Sequence, residues 1–334
     1  MKAFVTGGTG VVGRTFLPKL VNAGWEVTAL TRDPQKSGLL RHERLDYFAG
    51  DLSDVSTVKH LLEAPANYDV IFHLAASLDY FGRLEELLAT NVGGTEAMAS
   101  FARRSGARRF VYASSIEAAG AFRLSEVPAP PERAYRPLTA YGKSKIIAEK
   151  HVLQLARDGI APICLRIGNV YGLGWDSFVV QFARALLNRG MLWEYLPLFG
   201  RFYWSPIWNE DVADGLIASG MGTQAGVENL VGQAATVEEM FHFCADAMRI
   251  PFSCGRRKLS DWFYVNLQVQ IQRWFGVGGA GELGYPLAPI WPSVHRAFAM
   301  EGAVRRLGWK PCMPLREGIS QTLLWARSAG LLQF

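Results

Sequence analysis

The sequence predicts an α/β fold, a doubly wound parallel sheet with a smaller, mostly helical C-terminal lobe. Three observations lead there. Residues 2–13 read KAFVTGGTGVVG, an apolar strand running straight into glycines in the pattern G-x-x-G-x-x-G. Up to residue 167, β-rich runs alternate with helical periodicity, as in a parallel sheet covered on both faces. From about residue 175 that alternation weakens.

The elements follow in order. The first strand is 2–6, and a helix over 11–23 stops at Gly24. Strands over 26–31 and 45–49 come next, the latter closed by Gly50 and Asp51. Ser53 or Asp54 can cap a helix running to about 63. A strand over 69–74, a long helix over 84–104, a strand over 109–114, a helix over 139–157 and a strand over 161–167 complete the first half. Between them, 120–137 is Pro-rich and irregular, placed to cover a ligand. In the second half, helices are expected at 177–188, 211–219, 237–248, 293–307 and 315–329, with strands near 204–208 and 228–231. The division expected is a dinucleotide-binding region over 1–172 and a substrate-binding lobe over 173–334, interleaved with the sheet.

Composition narrows the class. Half the residues are apolar and a fifth are charged, as in a globular chain. The net charge of +5 comes from scattered basic residues, without the dense stripe of a nucleic-acid reader. Four cysteines form no C-x-x-C pair and lie near no histidine at ligand spacing. No metal is therefore expected, and reduced thiols suit a cytoplasmic protein. The N-terminal apolar run is shorter than the ~7–15 residues of a signal peptide. No apolar stretch reaches the ~18 residues of a membrane span.

The glycine turn carries the first chemistry. Gly7 permits a tight turn, Gly10 lets the backbone approach a ligand, and Gly13 lets helix pack on strand. The N–H groups opening the next helix, among them those of Val11 and Val12, then favour a pyrophosphate. Tyr141 and Lys145 lie four apart on one helix and share a face. An ammonium beside a tyrosine favours the phenolate, so the pair can move the proton of an alcohol or carbonyl. Ser114 and Ser115 end the fifth strand, at the border of the ligand crevice in such sheets. A hydroxyl there can donate to a substrate oxygen, or simply cap a helix. Asp51, ending the third strand, can accept from an adenine amino group or cap the next helix.

In sequence order, Thr6-Gly-Gly-Thr-Gly-Val-Val-Gly13, Asp51-Leu52, His73-Leu-Ala-Ala76, Asn91-Val-Gly-Gly-Thr95, Ser114-Ser115, Tyr141-x-x-x-Lys145 and Arg166-Ile-Gly-Asn-Val-Tyr-Gly172 resemble the extended short-chain dehydrogenase/reductases. Val111-Tyr-Ala-Ser-Ser-Ile-Glu-Ala-Ala-Gly120, Leu78-Asp-Tyr-Phe-Gly82, Leu307-Gly-Trp-Lys-Pro311 and Leu315-x-Glu-Gly-Ile319 are similar to the 3β-hydroxysteroid and sterol dehydrogenase branch. The resemblance implies a Rossmann-type sheet and a hydride exchanged with NAD or NADP. It implies Tyr141 as acid/base, Lys145 as its tuner and ribose contact, and Ser115 on the substrate oxygen. Thr6, Leu52, Ala75, Ala76, Ser114 and Gly168 join the glycines, Arg32 and Asp51 as cofactor contacts. Asp79 and Asn169 fall on substrate positions. After the second strand, Thr31-Arg32 stands where NAD-preferring members carry an acid, which favours NADP, although Asp33 follows one position late.

The implied reaction interconverts a secondary alcohol and its ketone on a sterol-like or other bulky apolar substrate. Sugar-nucleotide epimerases, dehydratases and reductases share the skeleton and form the alternative. A catalytically silent NADP-binding regulator would have no need of the serine, tyrosine and lysine set. Trp193, Trp204, Trp208, Trp262, Phe263 and Trp274 offer an apolar wall, some of it ordinary core. Residues 259–275 place Phe263, Leu267, Ile271 and Phe275 on one helical face, though Val265, Leu267, Val269 and Ile271 also alternate as in a strand. Length and the resemblance favour a helix there: a packed lid, a substrate wall or a peripheral membrane contact. The expected partners are a small apolar substrate and a second copy of the chain in a homodimer, with no nucleic acid.

Overall fold

The computed structural model describes residues 1–36, 38–63, 67–79, 83–188, 200–253 and 295–334. Strands β1 (Lys2–Thr6), β2 (Glu26–Thr31), β3 (Leu45–Ala49), β4 (Val70–His73), β5 (Arg109–Ser115) and β6 (Ala161–Ile167) lie where the sequence pattern placed them, within a residue at either end. Two short strands, β7 (Asn169–Tyr171) and β9 (Pro206–Trp208), pair with each other beside this sheet. Between them in sequence, β8 (Tyr203–Trp204) pairs elsewhere, so the strand expected over 204–208 is split. β10 (Gly226–Leu230) joins the main sheet, whose seven strands run in the order β10-β6-β5-β4-β1-β2-β3. Every pairing in it is parallel.

Strand period decides what covers each face. Ala3, Val5, Phe72, Val111, Ile163 and Leu165 point to one side. There they meet α1 (Val11–Asn22) and α8 (Asn209–Met221) through Phe16, Leu20, Val212 and Leu216. Phe4, Ile71, Phe110, Tyr112 and Cys164 point to the other side. They meet α4 (Gly94–Arg104) and α6 (Ala140–Gln154) through Met98, Phe101 and Val152. The long helix expected over 84–104 is helical throughout. Its middle, Leu88–Gly93, is a π-helical turn between α3 (Leu84–Leu87) and α4. Such turns re-aim the residues they carry, and this one carries Asn91.

A separate core joins α7 (Phe178–Asn188), α9 (Val237–Met248) and α11 (Leu315–Ser328). Phe182 stacks on Phe241 with ring centroids 4.4 Å apart, and Trp204 and Trp208 are buried in the same cluster. Each such side chain contributes roughly 1.5–3 kcal/mol by leaving water. These two tryptophans are therefore used in packing and make up part of the ordinary core expected among these aromatics. Trp193, Trp262, Phe263 and Trp274, and the whole segment 259–275, lie outside the described residues.

A correction concerns the helix expected over 293–307: among its described residues, 295–307, only α10 (Glu301–Leu307) is helical. Residues 295–299 instead pair with the loop over 120–137. His295 and Phe122 exchange backbone hydrogen bonds of 2.6 and 2.9 Å, and Ala129 bonds to both Ala297 and Ala299. Backbone groups committed to that pairing cannot also close a helical turn.

The same loop is anchored from below by a fully buried ion pair. Arg166 of β6 grips Glu149 of α6 through two hydrogen bonds of 3.0 and 2.9 Å, and donates a third to the Pro131 carbonyl. Tyr135 and Ser114 also donate to Glu149, so the carboxylate is satisfied on all sides. Arg166→Met leaves that carboxylate buried and unpaired. The expected cost is about 3–5 kcal/mol, read as a fall in the urea midpoint. A loss below about 1 kcal/mol would refute the anchoring role.

Candidate active site

At the turn from β1 into α1, Gly7 has φ +71°, a region open to glycine. A Cβ at Gly7 would stand 2.6 Å from the Ala75 nitrogen, and one at Gly13 would stand 2.2 Å from the Gly7 carbonyl. The glycines thus let this turn press against α1 and against the loop after β4. Gly10 caps α1 without any side-chain bond, and the first turn holds no acidic residue. The N–H groups of Val11, Val12 and Gly13 are left for an anion. This cradle fits the pyrophosphate of a dinucleotide.

Thr6, expected at the cofactor, is fully buried behind the cradle. Hydrogen-bond bookkeeping assigns its role. The Ala75 N–H donates to the Thr6 hydroxyl at 3.2 Å, and that hydroxyl lies 2.7 Å from His73 Nδ1. His73 Nε2 lies 3.1 Å from the Thr95 hydroxyl, which itself donates to the Asn91 carbonyl at 2.6 Å. Each hydroxyl has one proton, so His73 accepts at Nδ1 and donates at Nε2. It is a neutral imidazole, its pKa held down to about 3 by burial and then by the Lys145 charge. Asn91 continues the chain. Its amide bonds to both backbone groups of Ser77 and donates to the Ser144 hydroxyl, which donates to the Tyr141 carbonyl. The glycine cradle and the helix bearing Tyr141 are therefore joined by a continuous run of hydrogen bonds.

At the far end of the crevice, Arg32 is exposed beyond β2, close enough for its charge to act on Asp51. Asp51 is half-buried, and its Oδ1 accepts from the Ser53 N–H and hydroxyl at 2.9 and 2.8 Å. Those bonds, more than Arg32, hold its carboxyl below the usual range. Asp33 caps its own turn, accepting from the Gln35 N–H at 2.9 Å. Leu52 and Ala76 are half-buried after β3 and β4.

Ser115, at the end of β5, caps the short helix α5 (Ile116–Ala119), its oxygen accepting from the Glu117 N–H at 3.2 Å. That bond uses a lone pair of the hydroxyl and not its proton, so the cap is compatible with a donor role. Thr139 caps α6 and sets Tyr141 in the first turn. The two helices touch. A Cβ on Gly142 would lie 2.4 Å from the Glu117 carbonyl, so only glycine lets Tyr141 come so close to the Ser115 end. Lys145 Nζ lies 5.8 Å from the Tyr141 ring centroid and donates to the Tyr112 hydroxyl at 2.9 Å and the Ala113 carbonyl at 2.8 Å. Burial lowers its pKa to about 7. Ser114 points away from this group, into the buried Glu149.

Beyond β6, Gly168 tolerates no side chain, since a Cβ there would meet the Ser205 carbonyl at 2.2 Å. Asn169 follows it, and its Oδ1 is buried with no hydrogen-bond partner among the described residues. Asp79 is exposed, next to residues outside the described set. Three contributors have no role in the sequence reading: Gly142 and Ser144, unspecified positions of Tyr141-x-x-x-Lys145, and Tyr112.

The NAD dependent epimerase/dehydratase family model matches residues 3–219, and the chain belongs to that family. It is an NAD(P)-dependent dehydrogenase/reductase acting on CH–OH groups. A 3 beta-hydroxysteroid dehydrogenase/Delta 5→4-isomerase of Mycobacterium tuberculosis is 25% identical, over 96% of this chain and 89% of its own. A 4-hydroxy-2-methyl-3-oxo-4-farnesyl-3,4-dihydroquinoline-1-oxide ketoreductase of Stigmatella aurantiaca is 28% identical, over 77% and 78%. The Bordetella bronchiseptica enzyme WbmG, solved with NAD and UDP, superposes with a TM-score of 0.75 at 20% identity, over 98% and 96%.

Lys145 makes stability depend on pH with a definite sign. Its ordinary value is 10.5 and its folded value about 7. Between these the unfolded chain holds the proton and the folded one does not, so this group's contribution to stability rises with pH across that window. Lys145→Met should abolish that rise, seen by comparing urea midpoints of the two proteins from about pH 6 to 9. Parallel curves would show that Lys145 is solvated.

Proposed function

We propose that the protein is an oxidoreductase of the 3β-hydroxysteroid/sterol dehydrogenase type, interconverting a secondary alcohol and a ketone on a bulky apolar, sterol-like substrate. The observation that supports the reading is that α6 packs on the Glu117 carbonyl next to Ser115 through Gly142, while Lys145 bonds to Tyr112 and Ala113 of β5 and lies 5.8 Å from the Tyr141 ring centroid. The nicotinamide, when bound, gives or takes the hydride. Tyr141 moves the hydroxyl proton, the Ser115 hydroxyl donates to the substrate oxygen, and the Lys145 ammonium favours the Tyr141 phenolate. The substrate class is supported by relatives named for a hydroxysteroid and for a farnesyl-bearing ring.

The sugar-nucleotide reading is favoured by one observation, the likeness of fold to WbmG with its UDP. A diphosphate substrate calls for cations left open to it. Arg296, which reaches the Ser115 end of the site, is buried and paired with Glu117 at 2.9 Å. That neutralisation supports the apolar reading. A panel of 3β-hydroxysterols, short ketones and UDP-sugars, followed at the nicotinamide absorbance, separates the two. Turnover of sterols is expected, and turnover of UDP-sugars alone would overturn the reading. Tyr141→Phe should keep the fold and lower kcat about 10²–10⁴-fold. Retention of most of the rate would remove Tyr141 from the mechanism.

NADP is the favoured cofactor. Asp33 is engaged in its own turn, whereas Arg32 stands exposed beside Asp51 and suits a 2′-phosphate. Arg32→Ala should weaken NADPH by about 1.5–3 kcal/mol and NADH much less, as read by fluorescence titration. Equal small losses would reverse the preference.

A further inference from the structure

We propose that Tyr112 is the positioning residue of this site: through its hydroxyl it aims and holds the Lys145 ammonium, and so governs how readily Tyr141 gives up its proton. The inference rests on the acid–base reading of Tyr141 and Lys145.

The geometry is specific. Tyr112 and Lys145 are both fully buried. The Nζ of Lys145 bonds to the Tyr112 hydroxyl at 2.9 Å and also sits 4.4 Å from the centre of the same ring. One tyrosine thus offers the ammonium both an oxygen and a π face. With the Ala113 carbonyl taking a second N–H, one N–H remains for whatever enters the crevice. Tyr112 cannot swing away. Its ring stacks on the His73 imidazole, centroids 5.6 Å apart and planes 25° apart, and that imidazole is pinned by Thr6 and Thr95. The lysine is therefore held by an acceptor that is itself immobile, an arrangement suited to fixing a reacting group.

The charged and titratable groups around Lys145 come from every element packed against it. His73 on β4 is neutral. Glu149, one turn along α6, and Cys164 on β6 both favour the ammonium, against the larger effect of burial. Glu149 is already neutralised by Arg166. Tyr112 itself stays un-ionised, since burial raises its phenol well above the ordinary range. Removing its hydroxyl leaves an ammonium N–H buried without an acceptor, which disfavours the charged lysine. Without that charge the Tyr141 phenolate loses its support.

The test is Tyr112→Phe, which keeps the ring and its volume. Tyrosinate absorbance is titrated in the full chain without substrate, and the Tyr141 component is identified as the one lost in Tyr141→Phe. In Tyr112→Phe that component should move up by about one pH unit, with the melting temperature near that of wild type. Lys145→Met should produce at least as large a shift. The Tyr112→Phe, Lys145→Met double variant should match Lys145→Met alone, because Tyr112 acts through the lysine. An unmoved titration, additive shifts in the double variant, or a collapse in stability in place of a shift would each overturn the assignment. Failure of the functional reading is separately visible, as a shifted titration in a protein that turns over no hydroxysterol or ketone.

Discussion

The site is organised by the cost of keeping one ammonium dry. Lys145 is buried, and an unsatisfied charge there would cost several kcal/mol. The fold answers with two acceptors supplied by β5, the Tyr112 hydroxyl and the Ala113 carbonyl. Both lie on the strand whose end presents Ser115. The strand that gives the lysine both of its acceptors is thus the one that ends in Ser115. Displacing β5 relative to α6 would disturb Ser115, Tyr141 and Lys145 at once.

A second layer of polar side chains makes that displacement hard. One chain runs from the cradle through Thr6, His73, Thr95, Asn91 and Ser144 to the Tyr141 backbone. The other ties Ser114, Glu149, Arg166 and Tyr135 beneath the loop after β5. Both are densely satisfied, the condition under which buried polar networks rigidify a structure. The π-helical turn at 88–93 belongs to the first chain, because it carries Asn91 between Ser77 and Ser144.

Much of this was legible in the chain itself. The alternating pattern located β1 to β6, and the spacing of Tyr141 and Lys145 put both on one helix, because local periodicity dictates both. What escaped depended on contacts remote in sequence. Gly142 looked like a spacer until the Glu117 carbonyl was found against it. The helix expected from 293 failed because 295–299 bonds to residues over 160 positions earlier. Trp204 and Trp208 read equally well as pocket or core, and only packing against α7 and α9 decides. Tyr112 carried no signal beyond its strand, since a tyrosine at a buried strand position is ordinary.

The pairing of 295–299 with the loop after β5 has a consequence for how the protein is made. Strands β1 to β6 all leave the ribosome before β10, which forms one edge of the sheet. A domain's N-terminal part generally takes shape during synthesis before the rest arrives. Here the cradle and its six early strands can assemble while the chain is still growing. The Glu117 carboxylate beside Ser115 must wait for Arg296, which lies in the last 40 residues. A nascent chain can thus form its glycine turn well before the Ser115 end of the fold is complete.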